Sequence, residues 1–442
     1  EEAMNRIGTL ALVATWLALC GVSNADDWPQ WLGEKRDSVW RETGILEQFP
    51  EGGPKVLWRV PIAGGYAGPA VAGGRVYVHD YQADGDVTAN PGSRSDRHGK
   101  ERVLCLDAAT GKEIWKQEHE ENYKISYAYG PRCTPTVHDG KVYTLGAEGR
   151  LCCLDAESGK EIWSKDLNEE YKVETPIWGF TGHPLIDGQK LICLVGGEGS
   201  VAVAFDKDSG KELWKALSAP EPGYCAPSII EAGGTRQLLI WHPLAVNSLD
   251  PESGKVYWSV DLKPDYGMSI QMPRKLGDYL FVGGIGMQAV CLKLSKDKPA
   301  VDEVWRGDIK TGVFPVNSTP FLEDGIIYGC CTKGELRAAK LETGERLWET
   351  LKPTTNKRPS ESGSGTAFLV KNGDRFFLFS ETGDLIIAKL SPEGYEEISR
   401  AHLLDTTQFA FGRDVLWSHP AFASKCIFAR NDKEIICASL AK

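Results

Sequence analysis

The residues of this chain best equipped for chemistry stand a few positions ahead of a recurring proline. Tyr66, Arg132, Trp178, Tyr224, Gln271, Asn317 and Trp417 precede Gly68-Pro69, Thr134-Pro135, His183-Pro184, Ala226-Pro227, Met272-Pro273, Thr319-Pro320 and His419-Pro420 in turn. Arg132 can clamp a carboxylate through two parallel N–H donors. Trp178 can stack on a planar ligand. Asn317 can ligate a cation or hydrogen-bond a carbonyl. Other chemistry has no foothold. No Gly-x-Ser-x-Gly elbow or Ser-His-Asp order marks a hydrolase, and no glycine-rich loop is placed to cradle phosphate. The eight histidines are scattered without paired metal-ligand spacing. His183 and His419, equivalent in their repeats, read as hydrogen-bonded packing residues.

Seven side chains 350 residues apart converge only if the prolines do. A repeat supplies that convergence. Its clear copies are Leu106–Trp115, Leu154–Trp163, Phe205–Trp214 and Leu249–Trp258, each with Asp second and Ser/Thr-Gly-Lys in the middle. Weaker copies end at Trp305 and Trp348, and a degenerate one near Ile398. The Asp opens a turn by accepting a backbone N–H two residues on, and Gly supplies the positive φ that closes the hairpin. A tryptophan at one fixed place per repeat suits a wedge between adjacent sheets.

Gly73-Gly74, Asp139-Gly140, Asp187-Gly188 and their equivalents follow each proline anchor as hairpin turns. Thr366-Ala367 fills the one missing anchor, which makes eight. Each unit therefore reads as four short antiparallel strands, A to D, and a four-stranded repeat of this length means a propeller. The expected fold is all-β, an eight-bladed β-propeller with blades near 66–119, 127–168, 176–218, 222–262, 266–309, 313–351, 361–404 and 415–442. The last unit lacks an outer strand. The orphan Lys55–Val60 strand carries the missing Trp58, so residues 53–62 complete the last blade as a clasp. Residues 26–52, with Trp28, Trp31 and Trp40, form a polar lead-in expected over one face or the outer rim.

The net charge of −11 disfavours nucleic acid as a partner. Met4 reads as the start, Arg6 as a positive n-region, Thr9–Leu19 as an apolar core too short to span a bilayer, and Ser23-Asn24-Ala25 as a cleavage site. Residues 1–25 are therefore expected to be a cleaved signal peptide, with a periplasmic or secreted product. Cys20 fits a lipid anchor poorly, because Leu19 precedes it. Eleven further cysteines sit mostly in apolar strands, as small buried hydrophobes.

The four clear copies resemble the tryptophan-docking motif of the PQQ-repeat (quinoprotein dehydrogenase-like) propellers, Ala/Leu-x-Asp-x-x-Thr/Ser-Gly-Lys-x-x-Trp. The resemblance covers nearly all of the chain after residue 25. Trp28-Pro-Gln-Trp31 through Pro54-Lys-Val-Leu-Trp58 is also similar to the opening of such proteins. The family holds dehydrogenases that oxidise alcohols or sugars with PQQ and calcium, and non-catalytic, BamB-like propellers that bind partners. For the first class the resemblance implies Arg132 as a carboxylate anchor, Trp178 as a stacking floor and Asn317 near calcium, with Tyr66, Tyr224, Gln271 and Trp417 around them. Against it, Glu361 is the one carboxylate at these strand-A positions, the carboxylate-rich calcium set does not map, and there is no Cys-x-x-Cys-His. Some quinoproteins carry a disulfide between adjacent cysteines. Cys152-Cys153 lies in an alternating strand, whose neighbours face opposite ways. Cys330-Cys331 ends a strand, where such a bond is sterically easier. The expectation is a monomeric, non-catalytic binding or scaffold protein of the cell envelope, taking an envelope protein or small ligand at its axial face. No catalytic residue and no metal ligand is assigned.

Overall fold

The structure, a computed structural model, describes residues 26–85, 92–357 and 364–442. The signal-peptide reading, Cys20 and Glu361 fall outside these residues.

Alternating apolar strands bounded by Gly turns fold into eight four-stranded antiparallel sheets, arranged as the blades of a ring. The second blade is typical: Thr136–His138, Lys141–Leu145, Arg150–Asp155 and Glu161–Asp166, paired in sequence order. The first strands of neighbouring blades touch, so each blade presents strand A to the axis and strand D to the circumference. In the eighth blade, Ala421–Ala423, Cys426–Arg430 and Glu434–Ser439 are completed by Val56–Pro61. That clasp pairs Arg59 with Ile436 and Val60 with Ile435. A ring closed in this way joins the two ends of the chain by backbone hydrogen bonds and leaves no uncovered terminal blade.

Helix is confined, among the described residues, to Leu167–Tyr171 and one 3-10 turn at Asp265–Gly267. Two details differ from expectation. The first blade runs past residue 119, because Ser95–Asp107 and Glu113–Ile125 pair over their whole length. A short hairpin, Gln408–Ala410 with Arg413–Val415, precedes the eighth blade.

The docking motif is seen to act between blades. Trp115 donates Nε1–H to Ala156 O at 3.1 Å in the second blade, and a Cβ added to Gly159 there would lie 2.5 Å from its ring. Trp58, Trp163, Trp214 and Trp305 sit likewise over Gly111, Gly210, Gly254 and Gly344 of the following blade. The glycine thus serves twice, for its positive φ and as a flat seat for the preceding tryptophan. In the first three copies the turn Asp accepts from the residue three positions on, through Thr110, Ser158 and Ser209 N at 2.8 Å and their hydroxyls, while the expected bond from two positions on is made by Asp208 N to Asp206 at 3.2 Å and by Glu252 N to Asp250 at 2.8 Å. The hydroxyls of Thr110, Ser158 and Ser209 first, and the backbone N–H bonds after them, hold the Asp107, Asp155 and Asp206 carboxyls below the usual range.

The seat fails twice. In the seventh blade a Cβ on Gly394 would meet nothing within 4 Å, although Trp348 still donates to Ser391 O there at 2.8 Å. The fifth blade's turn at Ser295–Pro299 has no glycine, and Trp258 instead donates to Gln237 Oε1 of its own blade at 2.9 Å.

Candidate functional site: the axial cavity

Each strand A enters from the same side of the ring, so the residues ahead of each proline collect around the axis there. All seven predicted residues line one cavity of about 1140 Å³: Tyr66, Arg132, Trp178, Tyr224, Gln271, Asn317 and Trp417.

The lead-in closes its floor. Trp28 pairs with Val71 of the first blade, Pro29 O accepts from Val137 N of the second, and Val39 pairs with Lys371 of the seventh. Trp31, between these contacts, stacks on His183 (4.5 Å between centroids, 9° between planes) and meets His419 edge-on at 5.8 Å. The buried Arg36 guanidinium lies 5.9 Å from the Trp31 ring and donates to His183 O and Pro227 O. Its main chain is held in turn by Arg274, which donates to Arg36 O and Asp37 O. The segment predicted over one face therefore plugs the axis from that face. Its Trp28-Pro-Gln-Trp31 signature was visible in the sequence, but the depth of Trp31 was not.

Burial pushes the His183 imidazole well below its ordinary range, with Arg36 adding to the effect, and pushes His419 to about 3. Both are neutral packing residues, and Thr134 N donates to His183 Nδ1 at 3.0 Å. Below Trp31 lies a void of about 10 Å³, lined by Thr134 and Ser318 among others. Trp31 Nε1, Thr134 Oγ1 and Ser318 Oγ all lack a partner. The space and donors suit a single bound water.

Arg132 is engaged within the protein. Its guanidinium is spent on backbone carbonyls: Nε–H to Trp178 O at 2.9 Å, Nη1 to Gly130 O, and Nη2 to Ser126 O at 2.9 Å and Tyr127 O at 2.6 Å. It also lies 5.1 Å over the Tyr66 ring. The donors needed for a bidentate carboxylate clamp already hold the mouth loops of the second and third blades together. Trp178 meets Tyr224 edge-on at 5.7 Å. Gln271 donates to Val316 O, and the Trp417 indole donates to the buried Glu381 carboxylate at 2.8 Å. Asn317 stands in the wall, its backbone hydrogen-bonded to His419.

Sequence reasoning missed a second stretch of wall. The cavity runs outward between the fifth and sixth blades, where Tyr266, Met287, Ile309, Phe314, Lys333, Glu335, Arg337 and Arg346 line it. These positions lie in loops and on outer strands that carry no proline anchor, so no repeated signal pointed to them.

The adjacent cysteines behave as strand geometry dictates. Cys152 packs with the first-blade core around Cys105 and Trp115, while Cys153 faces the third blade. Cys330 and Cys331 are both free thiols. Cys330 Sγ approaches Gly365 O, and Cys331 Sγ accepts from Phe314 N at 3.2 Å, so the two sulfurs point to different neighbours.

The family profile described as Outer membrane protein assembly factor BamB matches residues 99–235 and 245–441. This chain belongs to that family of PQQ-like propellers. No curated protein matches it. Among solved structures, BamB from Moraxella catarrhalis is similar with a TM-score of 0.57 at 16% identity, over 87% of this chain and 97% of that one. Quinohemoprotein alcohol dehydrogenase from Comamonas testosteroni gives 0.56 at 14%, over 94% and 81%. A europium-containing methanol dehydrogenase gives 0.59 at 13%, over 93% and 89%. At these identities the likeness is one of fold, and function rests on the site.

The residues present do not fit PQQ with calcium. A planar tricarboxylate needs uncommitted cationic donors, and Arg132 is committed. A calcium ligand set needs grouped oxygens. Of the described residues lining the cavity, Asp265 and Glu335 alone are carboxylates, and Glu335 lies 3.5 Å from Arg337.

Proposed function

We propose that this chain is an exported, non-catalytic binding or scaffold protein of the cell envelope, monomeric, which takes its ligand in the axial cavity. The observation that carries the reading is a cup whose floor is sealed by Trp31 and whose Arg132 is tied to carbonyls. Among its described lining residues such a cup offers contact area without a grouped base and nucleophile or a calcium ligand set. Membership of a family described as an outer membrane assembly factor supports the reading, and so does the signal-peptide pattern of residues 1–25. Export predicts a mature protein beginning at Asp26, which N-terminal sequencing of envelope material checks. The catalytic rival is tested by dye reduction. Protein supplied with PQQ and Ca²⁺ should reduce no dye with a panel of alcohols and sugars. Turnover above the protein-free rate would reject the non-catalytic reading.

A further inference from the structure

The eighth blade, in which the two ends of the chain meet, holds a facing pair of cysteines. Cys426 opens the strand Cys426–Arg430, and Cys437 lies in its neighbour Glu434–Ser439. The register sets Cys426 opposite Ser439 and Cys437 opposite Phe428, so both side chains stand on one face of the sheet, along a diagonal. Cys437 also stands opposite Trp58 of the clasp. Among the described strands no other two cysteines are opposite or diagonal to one another.

The two side chains meet. Cys437 donates its S–H to the Cys426 sulfur, which pushes the Cys426 thiol below its ordinary pKa and, with burial, pushes Cys437 up. The other nine described cysteines are all pushed up, with burial as the first cause in each. Cys426 is thus the easier thiol to ionise, and it is the less buried of the pair, 7% exposed against 1%. Both are free thiols in the structure.

We propose that Cys426 and Cys437 form a disulfide that staples the eighth blade. The inference rests on the export reading above for its oxidant alone, because envelope and extracellular compartments favour disulfides. With glutathione disulfide as the oxidant, the Cys426 thiolate attacks one of its sulfurs and releases one glutathione thiolate. Cys437, giving up its proton, then attacks the Cys426 sulfur and releases the second. One S–S bond forms in the protein and one breaks in the oxidant. Two protein thiols are oxidised, one glutathione disulfide is reduced, and both protons pass to the glutathione thiolates. The bond ties the strand on which the clasp pairs to the strand inside it, at the blade that closes the ring.

The test treats the purified, folded protein with glutathione disulfide, alkylates the remaining thiols under denaturing conditions and digests with trypsin. Cleavage after Lys425, Arg430 and Lys433 puts the two cysteines in separate peptides, Cys426–Arg430 and Glu434–Lys442. Mass spectrometry should find these two peptides joined, and dithiothreitol should part them. The oxidised protein should also unfold at a higher urea midpoint than the reduced one, a gain that Cys437→Ala abolishes. Cys437→Ala should keep glutathione on Cys426, whereas Cys426→Ala should keep none on Cys437. Alkylated, unlinked Cys426 and Cys437 after oxidation, or either one joined to a different cysteine, would overturn the disulfide. A midpoint that does not rise would overturn its role as a staple, and glutathione held on Cys437 instead would overturn the order of attack. Because the reagent supplies the oxidant, such a failure removes the disulfide and leaves export standing. A mature chain that does not begin at Asp26 removes export and leaves the pairing standing.

Discussion

The circumference and the axis of this ring are built by opposite rules. At the circumference one contact recurs: a strand-D tryptophan over the next blade's turn glycine, as Trp115 over Gly159 and Trp163 over Gly210. At the axis no contact recurs. Equivalent places hold Tyr66, Arg132, Trp178, Tyr224, Gln271, Asn317 and Trp417, each with its own partners. A residue type repeated in every blade holds blades together, and one that differs from blade to blade is free to meet a ligand. Of the two exceptions, Trp258 loses its seat where the fifth blade's turn lacks glycine, and Trp348 keeps only its hydrogen bond to Ser391 O in the seventh.

The contrast is broken most sharply at a seat. Gly159→Val places a β-branched side chain at φ +74° and against the Trp115 ring. The combined strain and overpacking should cost about 4 kcal/mol, read from the urea midpoint. Removing the occupant should cost slightly less. Trp115→Ala is expected to lose about 3 kcal/mol, with its indole hydrogen bond to Ala156 and its packing both gone. A midpoint unchanged in both variants would mean the motif does not bear on blade docking.

Acid probes the axis instead. His183 and His419 are buried neutral, whereas in the unfolded chain each takes up a proton below its ordinary value. The folded pKa is depressed, so stability is full above that ordinary value and is lost as pH falls towards about 3, the value for His419. The unfolding free energy, read from urea titrations, should fall by about 1 kcal/mol per pH unit for each histidine below roughly pH 6.5. His419→Gln should lessen the slope by one such share. A midpoint flat between neutral pH and pH 4 would contradict the packing assigned to the floor. The smallest effect belongs beside the largest in sequence. Ile114, next to Trp115, is 45% exposed, and Ile114→Ala should change stability by less than about 0.5 kcal/mol.

This division also explains what the sequence disclosed. The Asp-x-x-Ser/Thr-Gly-Lys turns, the proline anchors and the orphan strand at Lys55–Val60 are local and periodic, so blade number, strand order and the clasp were all legible. The seven axial residues were found through their position ahead of each proline. Arg132's partners, the carbonyls of Ser126, Tyr127, Gly130 and Trp178, were not legible because they are set by loop conformations that no residue type announces. Tyr266, Met287 and Ile309 were overlooked because nothing in a sequence separates an apolar loop residue that is buried from one left exposed. The plug at Trp31 required knowing where the lead-in enters the ring, which is a property of the closed ring and not of residues 26–52.

The central claim is that the axis binds but is not a quinone site. A titration of PQQ with Ca²⁺ into the protein, followed by tryptophan fluorescence, tests it directly, because Trp31, Trp178 and Trp417 all line the cavity. The account predicts no saturable quenching up to high-micromolar PQQ. Tight, calcium-dependent quenching that is abolished by Arg132→Ala would contradict it.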